Sequence, residues 1–279
     1  MADNVDSAVV AGFGDEWTRF SQEGRSEADL RAIFDRYFAV FPWDRIPMDA
    51  AGVDIGCGSG RWARFVAPRC GRLVCVDPSP AALGVARQNL QQFPHVELTE
   101  ASAGSLPFPA ATFDFGYSLG VLHHTPDPAV GMRDAVRVLK PGAPFLVYLY
   151  YALDNRPLWF RLLFRVTNGV RMGVSRLPHG ARYAVSQLLA LFVYWPLART
   201  ARLLERLGRN ADRVPLSGYR DKPFYVMRTD ALDRFGTRIE FRFTRQQVIE
   251  LMHDAGLADV EVSPTAPYWC AVGFKPAHA

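Results

Sequence analysis

The chain has 279 residues, 49% of them hydrophobic, enough to bury a sizeable core in one large domain or one domain with an insertion. Its net charge of +4 is modest, and its four cysteines (Cys57, Cys70, Cys75, Cys270) show neither a CxxC pair nor a metal-ligand rhythm. That argues against a disulfide framework or a zinc site, and all four are read as reduced thiols. The opening residues, "MADNVDSAVVAGFGDEW", put an acid at Asp3 and no basic stretch ahead of an apolar run. They do not read as a secretory signal, so the expected location is the cytoplasm.

Within residues 12–42, after a looser "FGDEW" segment, Leu30, Ile33, Phe34, Tyr37, Phe38 and Phe41 recur at steps of three or four and predict an aromatic-rich amphipathic helix. From residue 51 to 151 the pattern changes. Apolar runs "AGVDIG", "RLVCVD", "VELTEAS", "FDFGYSLG" and "APFLVYLYY" read as strands, separated by helical stretches such as "SPAALGVARQNLQQF" and "PAVGMRDAVRVLKPG". Such alternation is the signature of a doubly wound α/β sheet.

The next ninety or so residues read as helices. Their apolar run from Leu188 to Ala198 is too short to span a bilayer, which takes about 20 apolar residues. Between Arg156 and Arg213 stand eleven arginines against Glu205 and Asp212, a net +9, so the other residues together carry −5. After this basic segment, "FTRQQVIELMHDAGLADVEVS" predicts a helix with an N-cap at Thr244 and a stop at Gly256, then a strand. "PYWCAVGFKP" reads as the last strand.

Chemistry concentrates at "VDIGCGSGRWA". Gly56, Gly58 and Gly60 form GxGxG between the first strand and the first helix, where doubly wound sheets bind nucleotide-like ligands. The position that a dinucleotide fingerprint needs as glycine is Arg61, which counts against a pyrophosphate cradle. Asp54, just before the loop, suits a cationic ligand better than a phosphate. Asp77 ends the next strand, placed to accept two hydrogen bonds from a ribose diol, to cap the helix that follows, or both.

These motifs resemble those of the class I S-adenosylmethionine-dependent methyltransferases of the small-molecule type. "VDIGCGSGRWA" looks like that family's first motif and "VCVDPSPAALGVAR" its second. "SLPFPAATFDFGYS", "LGVLHHTPDP" and "VLKPGAPFLVYLY" follow in the family's order, across roughly residues 50–150. The resemblance implies a Rossmann-like sheet and S-adenosyl-L-methionine as cofactor. By it, Gly56, Cys57 and Gly58, with Gly60 completing the loop, pass under the methionine and ribose, Asp54 faces the amino group and Asp77 the ribose. Pro78 and Ser79 meet the adenine edge, and Leu119 and Gly120 line the wall beside the sulfonium. Many relatives place an acid against the adenine amino group where this chain has Ser102, with Glu100 as a substitute.

The chain is therefore read as an N-terminal helical lid (1–48), a methyltransferase core (49–155 plus 239–279) and a mainly helical, arginine-rich substrate cap (156–238). Methyl transfer from a sulfonium is an in-line displacement needing alignment more than a protein nucleophile. A base helps when the acceptor must lose a proton; His123 and His124 are the candidates, with a structural turn as the alternative. Tyr151, Asp154 and Asn155 after the fifth strand, and Tyr225 and Arg228 in the cap, are candidate acceptor contacts. Arginines among aromatics in the cap suggest a greasy, anionic acceptor such as a lipid-linked intermediate, with peripheral membrane contact, or else a merely solvated cap. An RNA methyltransferase is a weaker alternative, lacking an RNA-binding module, and nucleic acid is not expected as a partner. A non-catalytic scaffold retaining the fold is a third. The aromatic cap could equally be covered by a second copy of the chain.

Overall fold

A computed structural model of the chain describes residues 4–19, 27–154, 157–211, 214–265 and 269–277, with only the backbone for 16–19. Two compact units emerge: Met1–Arg156 with Ile239–Ala279, and Pro157–Arg238.

The first unit is built on a seven-stranded sheet: β1 Ala51–Ile55, β2 Arg72–Asp77, β3 Val96–Glu100, β4 Phe115–Leu119, β5 Pro144–Tyr148, β6 Ala258–Val262 and β7 Cys270–Phe274. The order is β3-β2-β1-β4-β5-β7-β6, parallel except for β7, which runs antiparallel to both its neighbours. The strand order reverses between β1 and β4, so a crevice opens there at their carboxyl ends. β1 and β4 are buried on both faces, hence their nearly continuous apolar sequence.

One face of the sheet packs Val53, Ile55, Phe145 and Val147 against α5 (Pro128–Val138) and α10 (Arg245–Asp254). The other packs Leu73, Phe115, Tyr117 and Leu146 against α2 (Glu27–Tyr37), α3 (Ala63–Val66) and α4 (Pro80–Asn89). Thr244 caps α10 in a capping box with Gln247, and Gly256 turns the chain at φ +93°.

The N-terminal segment departs from its sequence reading. "FGDEW" is helical, inside α1 (Ser7–Arg19), and Phe38 and Phe41 lie beyond the end of α2. Leu30, Phe34, Phe38 and Phe41 are all buried, with Phe38 packed on Tyr117 at 5.3 Å and Phe41 on Phe115 at 6.0 Å. The aromatic stripe is thus sheet core, not a cover.

The second unit is helical: α6 Leu158–Val174, α7 His179–Leu189, α8 Trp195–Arg206 and α9 Phe224–Gly236. Between α7 and α8 the helix widens to a π turn over Ala190–Tyr194, just before Pro196. Proline lacks an N–H and its ring crowds the carbonyl four residues back, which the wider turn relieves. Val174, Ala190, Tyr194, Ala198, Met227, Ala231 and Phe235 form its core.

Two of its arginines are structural. Arg171, 5% exposed, donates to the carbonyls of Thr237 and Arg238 and to Asn168. Arg182, equally buried, donates to the Gly236 carbonyl and meets His179. Both guanidinium groups satisfy the open carbonyls at the α9 C-terminus, where positive charge is favoured. Arg171→Met should lower stability by about 2–3 kcal/mol in urea unfolding, because charged hydrogen bonds are lost and carbonyls orphaned. Arg165→Met, at an exposed position, should change it by less than about 0.5 kcal/mol.

Candidate functional site: a crevice at the ends of β1 and β4

The loop after β1 is fixed before any ligand arrives. The N–H groups of Gly56 and Cys57 both donate to the Val76 carbonyl on β2 (2.7 and 2.9 Å), and Gly60 N–H closes the turn on Cys57. Gly56, Gly58 and Gly60 have φ values of +79°, +54° and +73°. A Cβ on Gly56 would lie 2.4 Å from Val121 Cγ2, and one on Gly60 2.7 Å from Leu90 Cδ1. These two glycines are required by left-handed backbone and by close packing against the protein itself.

Asp77, at the end of β2, accepts the N–H of Gly58 on Oδ2 and of Ser79 on Oδ1, each at 2.9 Å. The N-cap of α4 is Ser79, whose hydroxyl accepts from Ala82 N–H, so Asp77 is not the capping residue. Each Asp77 oxygen retains lone-pair capacity for a further donor. Burial lifts its pKa to about 6 despite these two bonds.

Asp54 is 2% exposed, and its Oδ2 has no hydrogen-bond partner. Desolvation pushes its pKa up to about 8; the nearby Tyr117 phenol, itself without a well-directed partner, opposes the rise, and Asp77 adds to it. Among the described residues of this unit, the buried side-chain polar atoms left unpaired are Asp54 Oδ2, Ser59 Oγ, the Tyr117 hydroxyl and both ring nitrogens of His123. All lie on β1, β4 or the loops leaving their carboxyl ends. Buried polar groups are normally satisfied, so a cluster of orphans points to a ligand.

His123 and His124 form a short 3₁₀ turn after β4. His123 is fully buried, its ring 3.9 Å from Tyr150 and 4.1 Å from His124. Desolvation, then the nearby His124 and Arg242, hold its pKa well below 6.5, so it is neutral. His124 Nδ1–H donates to the Ile239 carbonyl at 2.7 Å. Leu119 ends β4, and Gly120, at φ +80°, donates to the Tyr148 carbonyl.

Three elements of this crevice were not singled out from sequence. Asn4 donates to the carbonyls of Ala103 and Asp127 and accepts Asp127 N–H. In α1, Gly14 abuts Ser79, where a Cβ would come within 2.7 Å of Oγ, and Phe13 lies 5.1 Å from the His124 ring. Helix α1 thus lies against the segments that follow β2 and β4. Thirdly, residues 239–243 run beside the β4 and β5 ends: Phe241 N–H donates to His123, and Phe243 N–H to Tyr150. Arg242 pairs with Glu240 at 2.9 Å and lies over the Tyr150 ring at 5.1 Å.

Other sequence candidates fall as follows. Cys57, Pro78 and Ser79 flank Asp77. Ser102 is buried and shares a hydrogen bond with Ser105 at 2.8 Å, whereas Glu100 is exposed. Tyr151 bridges to Phe243, and Asp154 lies in the turn that follows. Asn155 is outside the described residues. Tyr225 and Arg228 belong to α9 in the second unit, where Arg228 bonds Gln187 and the Tyr183 hydroxyl.

The fold is that of a doubly wound α/β protein with carboxylates near the carboxyl ends of two adjacent strands. A methyltransferase-domain family model matches residues 53–147. The chain is 34% identical over 104 residues to the 2-phytyl-1,4-naphtoquinone methyltransferase of Thermosynechococcus vestitus, covering 36% of this chain and 46% of that protein. It is 30% identical over 187 residues to the ubiquinone biosynthesis O-methyltransferase of Hahella chejuensis, covering 64% of this chain and 73% of that protein. A solved structure of a possible exported protein from Bordetella parapertussis shares the fold, with a TM-score of 0.52 and 16% identity over 93% of this chain and 72% of the other. The chain belongs to the class I S-adenosylmethionine-dependent methyltransferases. It spans about half the length of the first curated relatives it matches, 46%, 43% and 55%.

The raised pKa of Asp54 gives a signed expectation. The folded protein holds a proton up to about pH 8 that the unfolded chain releases near 3.8. Stability should therefore fall as pH rises through that window, by up to about 1.4 kcal/mol per pH unit from this group. Asp54→Asn should remove that share of the slope in denaturant titrations at pH 5, 6.5 and 8. An unchanged slope would mean that Asp54 ionises normally.

Proposed function

We propose that this chain transfers a methyl group from S-adenosylmethionine to a small acceptor whose reacting part is an apolar ring bearing an ionisable hydroxyl, of the hydroquinone or phenol kind. The observation that carries this reading is the set of orphaned buried polar atoms: a carboxylate suited to a cation on β1, and a neutral imidazole beyond β4. The relatives named for quinone methylation support the acceptor class, as do the rings of Tyr37, Tyr148, Tyr150 and His123, successively in contact. A lipid-linked acceptor, and an anionic group on it, are the finer part of the proposal. They rest on the quinone-type relatives and the arginine-rich sequence of 156–238.

Asp54 would hold the donor's ammonium group. Asp77, already tied to Gly58 and Ser79, would offer its remaining lone pairs to the ribose diol, with Pro78, Ser79 and Ser102 toward the base. When bound, the donor supplies a methyl group on a sulfonium, already activated for displacement. His123 is uncharged at any pH near neutrality and can take the acceptor's hydroxyl proton on a free ring nitrogen as the oxygen becomes nucleophilic. The stacked Tyr150 ring and the backbone bond from Phe241 hold His123 in place.

Calorimetric titration with S-adenosylmethionine should show micromolar binding, weakened at least tenfold in Asp77→Asn. No binding by the intact chain would leave the fold as a scaffold. In turnover assays with a quinol acceptor, His123→Gln should lower kcat about 100-fold while leaving donor affinity within about twofold. The wild-type kcat at saturating donor should show no loss near pH 6.5 from histidine protonation. An unchanged kcat in the variant would remove His123 as the base.

A further inference from the structure

Among the described residues, fifteen of the seventeen large hydrophobic side chains left exposed lie between 157 and 238. Single exposed apolar residues are ordinary, but a concentration of this kind marks an interaction surface. Helix α6 shows it most clearly. Its inward side uses Phe160, Phe164, Thr167, Arg171 and Val174, which are buried or half-buried. Its outward side carries Leu158, Trp159, Leu162, Leu163, Val166 and Val170, with Leu158 79% exposed. At 3.6 residues per turn these six cover an arc of about 140°. Arg161 and Arg165, both exposed, line one edge of that arc, and α6 contains no acidic residue. A second outward row, Leu188, Leu191, Phe192 and Trp195, precedes Arg199, whose guanidinium lies 5.9 Å from the Trp195 ring.

An apolar row bordered by arginines and free of acids complements a bilayer surface with anionic headgroups: the row enters the acyl boundary and the guanidinium groups reach the phosphates. No described helix is long and apolar enough to cross a membrane, so the contact is one of lying on the surface. We propose that the outward face of α6, with the row from Leu188 to Trp195, docks this protein on anionic lipid membranes. The inference does not depend on which acceptor the protein methylates.

Flotation of the full chain with vesicles tests it. Binding should be at least tenfold stronger to phosphatidylcholine vesicles containing 30% phosphatidylglycerol than to pure phosphatidylcholine, and should weaken in 0.5 M sodium chloride. Leu162→Asp with Val166→Asp should reduce binding at least tenfold, while the far-ultraviolet spectrum and donor affinity stay unchanged. Arg161→Glu with Arg165→Glu should do the same without touching an apolar residue, which guards against a folding defect in the first variant. Failure of the wild-type chain to float would overturn the proposal, as would equal binding to neutral vesicles. So would light scattering showing a dimer that the Leu162→Asp, Val166→Asp chain loses, since the face would then belong to a second copy.

Discussion

The crevice depends on one uncomfortable placement: a carboxylate buried near the end of the central strand, its Oδ2 without a hydrogen-bond partner and the charge of Arg61 too weak to offset its desolvation. Asp54 sits on β1, between β2 and β4, and five consecutive residue pairs fix its register against β2. The backbone has no freedom to carry the side chain back to water. A buried charge without a partner costs more than a domain readily tolerates, so the group keeps its proton instead. In the proposed reading, a cationic ligand would restore what a free carboxylate loses in this position. The apolar strands on both sides supply the stability that makes the arrangement tolerable.

The same constraint explains why so much of the site could be read from sequence. Alternating strands and helices, the glycine turn, the acid closing β2 and the Thr244 capping box are all local signals, each set by a few neighbouring residues. Glycine spacing located the loop, yet the side chains that exclude a Cβ at Gly56 and Gly60 are Val121 and Leu90. These come from distant segments, which glycine spacing alone does not reveal. Gly14 made "FGDEW" look loose for a related reason: a helix glycine is unfavourable locally, but here it admits Ser79. Asn4, Glu240 and Arg242 carried no local signal, because their partners are other loops.

The arginine-rich segment shows the limit of charge counting. Sequence assigned its arginines a common role, at the rim of a substrate cap or simply solvated. Arg171 and Arg182 are instead spent inside the helical unit, on the carbonyls that end α9. Arg228 is held by Gln187 and Tyr183. Charge density in a sequence cannot separate an arginine that terminates a helix from one that faces solvent; only the helix packing does. The apolar surplus on the outside of α6 was hidden in the same way, because a helix apolar on two sides has no single periodic stripe.

The two titratable groups that matter most are displaced in opposite directions for one reason. Burial favours the neutral form of both, so Asp54 holds its proton and His123 loses its own. A cationic ligand beside Asp54, as proposed, would reverse only the first, by drawing the carboxylate into its charged form. Positive charge in the crevice pushes His123 further toward neutrality, as Arg242 and His124 already do. In the proposed reading, a cation held at Asp54 and a neutral His123 are electrostatically compatible, since positive charge disfavours protonation of an imidazole.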